Sequence, residues 1–173
     1  LTIDQDKAVV HIEAPQDKEI TRLSIELNNT YITYGKDGTR GRSNQVAQDA
    51  NAGRYGKAGA AVQRALTKTS SNYSNSTWDL VDATKKDGVK LESLRDEELP
   101  AELKILAPGA RAAFIDQKAA ERAKIQSDIK KLNEERQKFV AEKAKESGEV
   151  ATLDKVIVQA VREQAAKKAI EFK

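Results

Sequence analysis

The chain contains no cysteine and a single histidine among its 173 residues. Without cysteine it has no disulfide framework, no thiolate metal site and no thiol nucleophile. One histidine excludes the usual multi-histidine metal sites and weakens any acid–base mechanism that depends on imidazole. Aromatic residues make up only 5%, and no apolar run approaches the roughly twenty residues that a membrane-spanning helix needs. We therefore expect a non-enzymatic chain without a transmembrane segment, and no catalytic, cofactor-binding or metal-binding residues.

Charged residues, by contrast, are abundant and form 33% of the chain, against 39% hydrophobic residues. This composition is typical of solvated helices and not of a thick globular core. Lysine and arginine total 30, while aspartate and glutamate total 27. The formal net charge is therefore only +3, although the pI is about 9.0. So small an excess of positive charge does not favour nucleic acid as the partner.

The first region, residues 1–35, has the pattern of one strand followed by one helix. The β-branched run Ala8–Ile12 predicts a strand, which Pro15 ends because proline cannot donate to a ladder. The apolar stripe of the helix, at spacings of three and four, consists of Ile20, Leu23, Leu27 and Tyr31. A lone strand cannot satisfy its own backbone groups. We therefore expect this strand to pair with another chain, or with a sheet in a segment removed before Leu1.

The central region, residues 36–107, predicts weak helices and loops. Ser43 is a candidate cap for a helix over residues 43–68, and each of its three glycines should cost roughly 1 kcal/mol relative to alanine. The expected inner face of that helix consists of Val46, Ala47, Ala50, Ala58, Ala61, Val62, Ala65 and Leu66. A polar loop then leads to the only tryptophan, Trp78, in a short amphipathic turn. Short helical pieces follow, and Pro100 separates them.

The last region, residues 108–173, predicts a long helical hairpin with coiled-coil character. Pro108 suits a first helical turn, and no helix breaker follows before Gly148. Thr152–Ala169 then predicts a second helix that folds back on the first. The hairpin carries an apolar strip, which we predict to be an interaction surface together with Trp78. The members of this strip are Ile125, Ile129, Leu132, Phe139, Ile157 and Val161.

A two-helix hairpin buries only part of such a strip, so a third element should cover the remainder. The sequence leaves three candidates for that element. Two are internal: the Ala/Gly-rich helix of residues 43–68 and the Trp78 segment. The third is a neighbouring subunit.

Two aspartates beside the tryptophan are candidates for chemistry. Asp79 and Asp82 lie three residues apart on one helical face, where they could act as acid and base or bind a cation. Alternatively, the apolar residues around them dock the segment while both carboxylates face water or cap a helix, which is the interpretation that we favour. Along the C-terminal helices, charges of both signs alternate, which favours a solvated surface with weak ion pairs over a nucleic-acid groove.

Four segments follow one another along nearly the whole chain: TIDQDKAVVHIEAPQDKEITRLSIELNNTYITYG, WDLVDA, RAAFIDQKAAERAKIQSDIKKLNEERQKFVAEK and TLDKVIVQAVREQAAKK. In this order they resemble the C-terminal region of a group of bacterial von Willebrand factor A (VWA) domain proteins. The resemblance implies that an α/β VWA domain comes first, with Ile3–Ile12 as its last strand, Lys18–Tyr34 as its last helix and a charged helical tail after it. It also implies a place in the cell envelope, because members of this group often look exported.

The resemblance does not extend to a metal site in this chain. VWA domains that bind a divalent cation use an Asp-x-Ser/Thr-x-Ser type motif after their first strand, and this sequence has no such motif. Metal-dependent ligand binding therefore cannot be assigned to any residue here.

The sequence thus predicts a mainly α fold, with one strand–helix unit that ends a VWA-like domain and then a helical region with a long hairpin. The expected function is a non-enzymatic interaction or assembly module, a scaffold whose partner is a protein, an upstream VWA domain or a second copy of the chain. The alternative is a basic helical protein that binds nucleic acid or an anionic membrane surface. A third interpretation is a hydrolase-like activity at Asp79 and Asp82.

Overall fold

The computed structural model describes residues 12–55 and 57–146. Within these residues the chain is mainly helical, as predicted, and no strand is assigned. The α-helices of this part are α1 (Asp17–Asn28), α2 (Gly38–Tyr55), α3 (Lys57–Thr67), α4 (Leu80–Lys85), α5 (Ala101–Lys104) and α6 (Pro108–Glu146). Two 3-10 helices, Leu91–Ser93 and Asp96–Glu98, precede Pro100, so the expected short helical pieces are confirmed.

The chain divides into two compact units. The larger unit is Glu13–Gln137, which holds α1 to α5 and most of α6. The smaller unit combines Leu1–Ile12 with Lys138–Lys173, and its described residues are Ile12 and the helical segment 138–146.

Two predicted elements fall outside the described residues. The predicted strand Ala8–Ile12 lies there except for Ile12, which has no regular secondary structure. The predicted return helix Thr152–Ala169, with Ile157 and Val161 of the apolar strip, lies there entirely. Both elements remain predictions.

Helix α1 forms as its sequence pattern predicts. Two carboxylates lie in its first turn, where they favour the positive end of the helix dipole. The apolar residues Ile20, Leu23 and Leu27 are buried on one face. The helix ends at Asn28. Tyr31 is also buried, but it belongs to the segment that follows the helix and not to the last helical turn.

An extended segment after α1 holds the tryptophan region in place. The backbone N–H of Tyr34 donates to the carbonyl of Trp78 at 3.0 Å, and that of Leu80 donates to the carbonyl of Ile32 at 2.7 Å. These bonds flank an isolated antiparallel bridge. They fix Trp78 beside the end of α1, although the two segments are more than forty residues apart in sequence.

The predicted single helix from Ser43 is wrong in its start and in the part of its inner face that precedes Gly53. Helix α2 begins at Gly38, Ser43 is exposed within it, and a separate helix α3 follows. Val46, Ala47 and Ala50 of α2 are exposed, whereas Val62 and Ala65 of α3 are buried as expected. The physical reason is that α2 contacts the rest of the unit through polar side chains, so that its apolar residues are not the ones that become buried.

Two apolar clusters form the core. The first joins α1, α3 and α6 and contains Ile20, Leu23, Leu27, Val62, Ala65, Ile125 and Ile129. The second joins the tryptophan region, α5 and the start of α6 and contains Ile32, Leu80, Val81, Leu99, Leu103 and Ile115. Helix α6 therefore contributes to both clusters, and Arg136 adds an ion pair to Asp17 of α1 at 2.6 Å.

Candidate functional site

Two depressions in the larger unit are lined by the same helix, α2. One lies among α1, α2 and α3, and we call it the α1–α2 groove. The other lies beside the tryptophan, and we call it the Trp78 cleft. Helix α2 therefore presents one face to each depression, and both candidate sites depend on its position.

The α1–α2 groove has a volume of about 480 Å³ and an apolar rim. Ile25 of α1 is 63% exposed and Val46 of α2 is 50% exposed. Small residues of α2 and α3 line the space between them, namely Ala50, Gly53 and Ala61. Exposed large apolar side chains that share one groove are typical of contact surfaces, whereas single exposed ones are common everywhere.

A buried lysine lies beneath this groove. Lys68 is fully buried, and its ammonium donates to the carbonyl of Ser24 at 2.8 Å, to Oδ1 of Asn28 at 2.9 Å and to Oδ2 of Asp49 at 2.9 Å. Three acceptors match the three N–H groups of the ammonium. Burial lowers the pKa of Lys68, and the carboxylate of Asp49 opposes that effect.

Asp49 joins this lysine to α3 and α1. It accepts from Nδ2 of Asn28 at 2.7 Å and from Nε of Arg64 at 2.9 Å, besides Lys68. Burial alone would raise the pKa of Asp49, but these hydrogen bonds outweigh it and hold the pKa below its ordinary value. Arg64 also donates to Oε1 of Gln45 at 3.1 Å. The contact of α2 with its neighbours is therefore a network of directional polar bonds.

A second buried polar network surrounds Arg122 of α6. Its guanidinium donates to Oδ2 of Asp79 at 2.7 Å, to Oδ1 of Asp82 at 3.0 Å and to the carbonyl of Thr30 at 2.8 Å. The same guanidinium lies 4.5 Å from the centre of the Tyr31 ring. Burial raises the pKa of Asp79 above its ordinary value. Hydrogen bonds from Arg122 and from two backbone N–H groups lower the pKa, but they do not outweigh the effect of burial.

The two aspartates differ from the expectation in one respect. Asp79 caps α4 by accepting from the backbone N–H of Asp82 at 3.0 Å, as the favoured interpretation allows. Neither carboxylate faces water, because both are buried against Arg122. Both carboxylates bind the guanidinium of Arg122, and these ion pairs join the α4 segment to α6. Neither carboxylate is therefore free to act as an acid or a base.

The structure brings together one part of the predicted interaction strip. Ile125 and Ile129 are buried in the first core cluster, and Leu132 packs against it. Their cover is internal and comes from α1 and α3, and α3 is part of the predicted Ala/Gly-rich helix. Phe139 is half-buried in the smaller unit. Trp78 is separate from this strip and lies against Tyr31, with ring centres 5.4 Å apart.

Sequence reasoning missed Ile25, Val46 and the polar contacts of α2. A signal for Ile25 was present, since this isoleucine lies off the stripe of Ile20, Leu23 and Leu27 in a helix whose other faces are polar. No comparable signal marks Gln45, because a polar residue between other polar residues looks like ordinary helix surface.

Comparisons with protein-family models, with curated proteins and with solved structures each give no match. In the part of the chain that the structure describes, no helix combines the length and apolar character needed to cross a bilayer. Over the same residues, no group of three histidine, cysteine, aspartate or glutamate side chains is arranged as a metal site. The geometry of the groove and of the cleft is therefore the basis on which a function can be proposed.

Proposed function

We propose that this chain is a non-enzymatic interaction and assembly module, the helical tail of a VWA-type protein, with the α1–α2 groove as its contact surface. The observation that carries the proposal is the joint exposure of Ile25 and Val46 on one rim. The partner that fits is an amphipathic helix of another protein. Two helices form the walls of the groove, and small side chains between them leave room for a third helix to approach closely.

Two further observations support this proposal. The carboxylates of Asp79 and Asp82, the main candidates for chemistry, are both bound by Arg122. The VWA assignment rests on the resemblance of the four sequence segments, of which the first includes α1. It predicts that the gene encodes a VWA domain upstream of Leu1, and sequencing the precursor tests this directly.

Site-specific cross-linking tests the groove, because the chain has no cysteine to interfere. Ile25→Cys, labelled with a photoreactive maleimide, should cross-link to a partner helix in cells that express the protein. Ile105→Cys is the matched control, since Ile105 is 84% exposed and does not line the groove. Val46→Glu in the labelled Ile25→Cys chain should abolish the cross-link. Equal products from both cysteines, or none from Ile25→Cys, would refute the groove as a contact surface.

Salt dependence separates this function from the alternative. Affinity for nucleic acid falls steeply with salt because counterions are released on binding. A helix held by apolar contacts should bind with nearly unchanged affinity when the salt concentration is raised. A steep decrease would instead favour the basic helical protein that binds nucleic acid or an anionic membrane.

A further inference from the structure

The Trp78 cleft is the second depression beside α2, and the interaction proposal does not use it. Its volume of about 500 Å³ lies within the range of small-molecule sites. Its wall is rich in amide and hydroxyl side chains, including those of Asn44, Gln45, Gln48, Asn75 and Thr77. Such groups both donate and accept hydrogen bonds.

Two of these amides have donors that no group in the described residues satisfies. Gln45 is only 3% exposed, and its Nε2 atom is buried without a hydrogen-bond partner there; the same holds for Nδ2 of Asn75. The orientation of Gln45 is fixed, because its Oε1 accepts from Arg64, and a guanidinium can only donate. Buried amide donors are nearly always paired in proteins, so two unpaired donors in the wall of one cleft indicate that the cleft takes a ligand with acceptor oxygens.

The charge of the cleft decides which acceptor fits. Its charged lining residues, among those described, are Asp37 and Arg40, which pair with each other at 2.8 Å. No cation of the lining is left to neutralise a phosphate or a carboxylate. A neutral ligand that carries many hydroxyl groups matches both the balanced charge and the amide-rich wall.

The aromatic side of the cleft is held rigidly. One face of the Trp78 ring lies against Gly41, where an added Cβ would be 2.2 Å from Cγ of the ring. Tyr31 packs against the same indole, and Arg122 covers Tyr31. A fixed wall lowers the entropy lost on binding, which favours affinity for a small ligand.

We propose that the Trp78 cleft binds a short neutral saccharide, whose hydroxyl oxygens accept hydrogen bonds from the side-chain amides of Gln45 and Asn75. Gln48 and Asn44, which are exposed on α2, would complete the contacts at the mouth of the cleft. This site and the α1–α2 groove are lined by different residues of α2, so either one can fail to bind its ligand while the other binds.

Intrinsic fluorescence provides the test, since Trp78 is the only tryptophan. The full chain is titrated with two neutral trisaccharides, maltotriose and N,N′,N″-triacetylchitotriose, and with inorganic phosphate as a charged probe. We expect a saturable change in emission with at least one trisaccharide, with a dissociation constant of about 1 mM or lower, and no change with phosphate.

Three variants locate the binding. Gln45→Glu keeps the acceptor for Arg64 but replaces the unpaired donor, and Gln48→Ala shortens an exposed lining residue that the fold does not need. Both should weaken binding about tenfold or more. Asn51→Ala is the matched control, since Asn51 is exposed on α2 away from the cleft, and it should bind like the wild type. No response to either trisaccharide, a response to phosphate, or equal binding by all variants would overturn the proposal.

Discussion

Helices α1 and α2 both pack on α3, but they do so with opposite chemistry. Helix α1 buries an apolar stripe of Ile20, Leu23 and Leu27 against the first core cluster. Helix α2 buries Gln45 and is held in place through Asp49, while its Val46, Ala47 and Ala50 are exposed. Apolar contact is non-directional and tolerates small shifts of one helix against another. A hydrogen-bond network instead fixes one arrangement, and removal of a single member costs much of its stabilising free energy.

This difference has a consequence for function. The polar residues that attach α2 also line the two depressions: Asp49 and Arg64 line the α1–α2 groove, and Gln45 lines the Trp78 cleft. Helix α2 accordingly lines both the α1–α2 groove and the Trp78 cleft. The two proposals therefore depend on the same polar attachment, which makes that attachment the most informative target for mutation.

The largest effect should come from a charge placed in the apolar attachment. Ile129→Asp puts a carboxylate without a partner into the first core cluster, where Ile129 is fully buried. We expect a loss of more than about 4 kcal/mol in the free energy of unfolding, since burying an unpaired charge is among the most destabilising changes. Circular dichroism and molar mass are measured together. Lys130→Asp, at an exposed neighbour, is the control and should change stability by less than about 0.5 kcal/mol.

The outcome of Ile129→Asp also decides how the apolar strip is used. Loss of helicity in a chain that is monomeric before and after the mutation agrees with the internal packing seen here. Loss of association with helicity retained would mean that Ile129 lies at an interface between subunits. An unchanged protein would contradict its burial altogether.

Removal of a buried cation should rank second. Arg122→Met leaves Asp79 and Asp82 buried without their guanidinium, which we expect to cost about 3–5 kcal/mol in chemical denaturation. Adding Asp79→Asn to this variant should restore part of the loss, because one uncompensated charge is removed. Lys124→Met, exposed on the same helix, is the control. A wild-type midpoint for Arg122→Met would show that the network contributes no net stability.

The apolar attachments were predictable from sequence and the polar ones were not. The stripe of α1 and the buried pair Ile125 and Ile129 follow directly from helical periodicity, which marks apolar faces without knowledge of the partner. The sequence pattern also allows a helix cap at Asp79, which the structure shows. Gln45 and Asp49, in contrast, carry no periodic signal, because a buried polar residue is recognised only by the partners that the fold brings to it.

The candidate sites show the same division. Trp78 was singled out as a rare residue, and it does line a cleft, but the amides opposite it come from α2, whose start and inner face were predicted wrongly. Ile25 is an apolar residue off the buried stripe, so the groove could have been suspected from α1 alone. Its second rim residue, Val46, is predicted from sequence to lie on the inner face of the helix over residues 43–68, but it is exposed.

Smaller effects are expected where the polar attachment is weakened and not abolished. Asp49→Asn keeps the size of the side chain but removes the charge beside Lys68 and Arg64, which should cost about 1–3 kcal/mol at pH 7. The pKa of Asp49 is lowered in the folded chain below its ordinary 3.8. An acid with a lowered pKa contributes stability that is present above its unfolded-state pKa and is lost as the pH falls through the folded value.

The pH series follows from this sign. Urea denaturation should show a constant advantage of the wild type over Asp49→Asn at neutral pH, and this advantage should disappear as the pH falls below 3.8. Asp116→Asn, in an exposed ion pair with Lys85, is the control and should change stability by about 1 kcal/mol at most. An advantage that persists at the lowest pH would mean that the charge of Asp49 is not what holds α2.

The smallest effects should come from two glycines of α2, and they have opposite signs. Gly41→Ala places a Cβ 2.2 Å from Cγ of Trp78, so the indole must shift and its emission should change, with a net cost of about 1–2 kcal/mol after the gain in helix propensity. Gly53→Ala meets nothing within 4 Å and should stabilise the chain by about 0.4–1 kcal/mol. Thermal unfolding and tryptophan fluorescence measure both variants side by side. If Gly41→Ala is as stable as Gly53→Ala and leaves the emission unchanged, the indole does not pack on α2, and the rigid wall assigned to the cleft is lost with it.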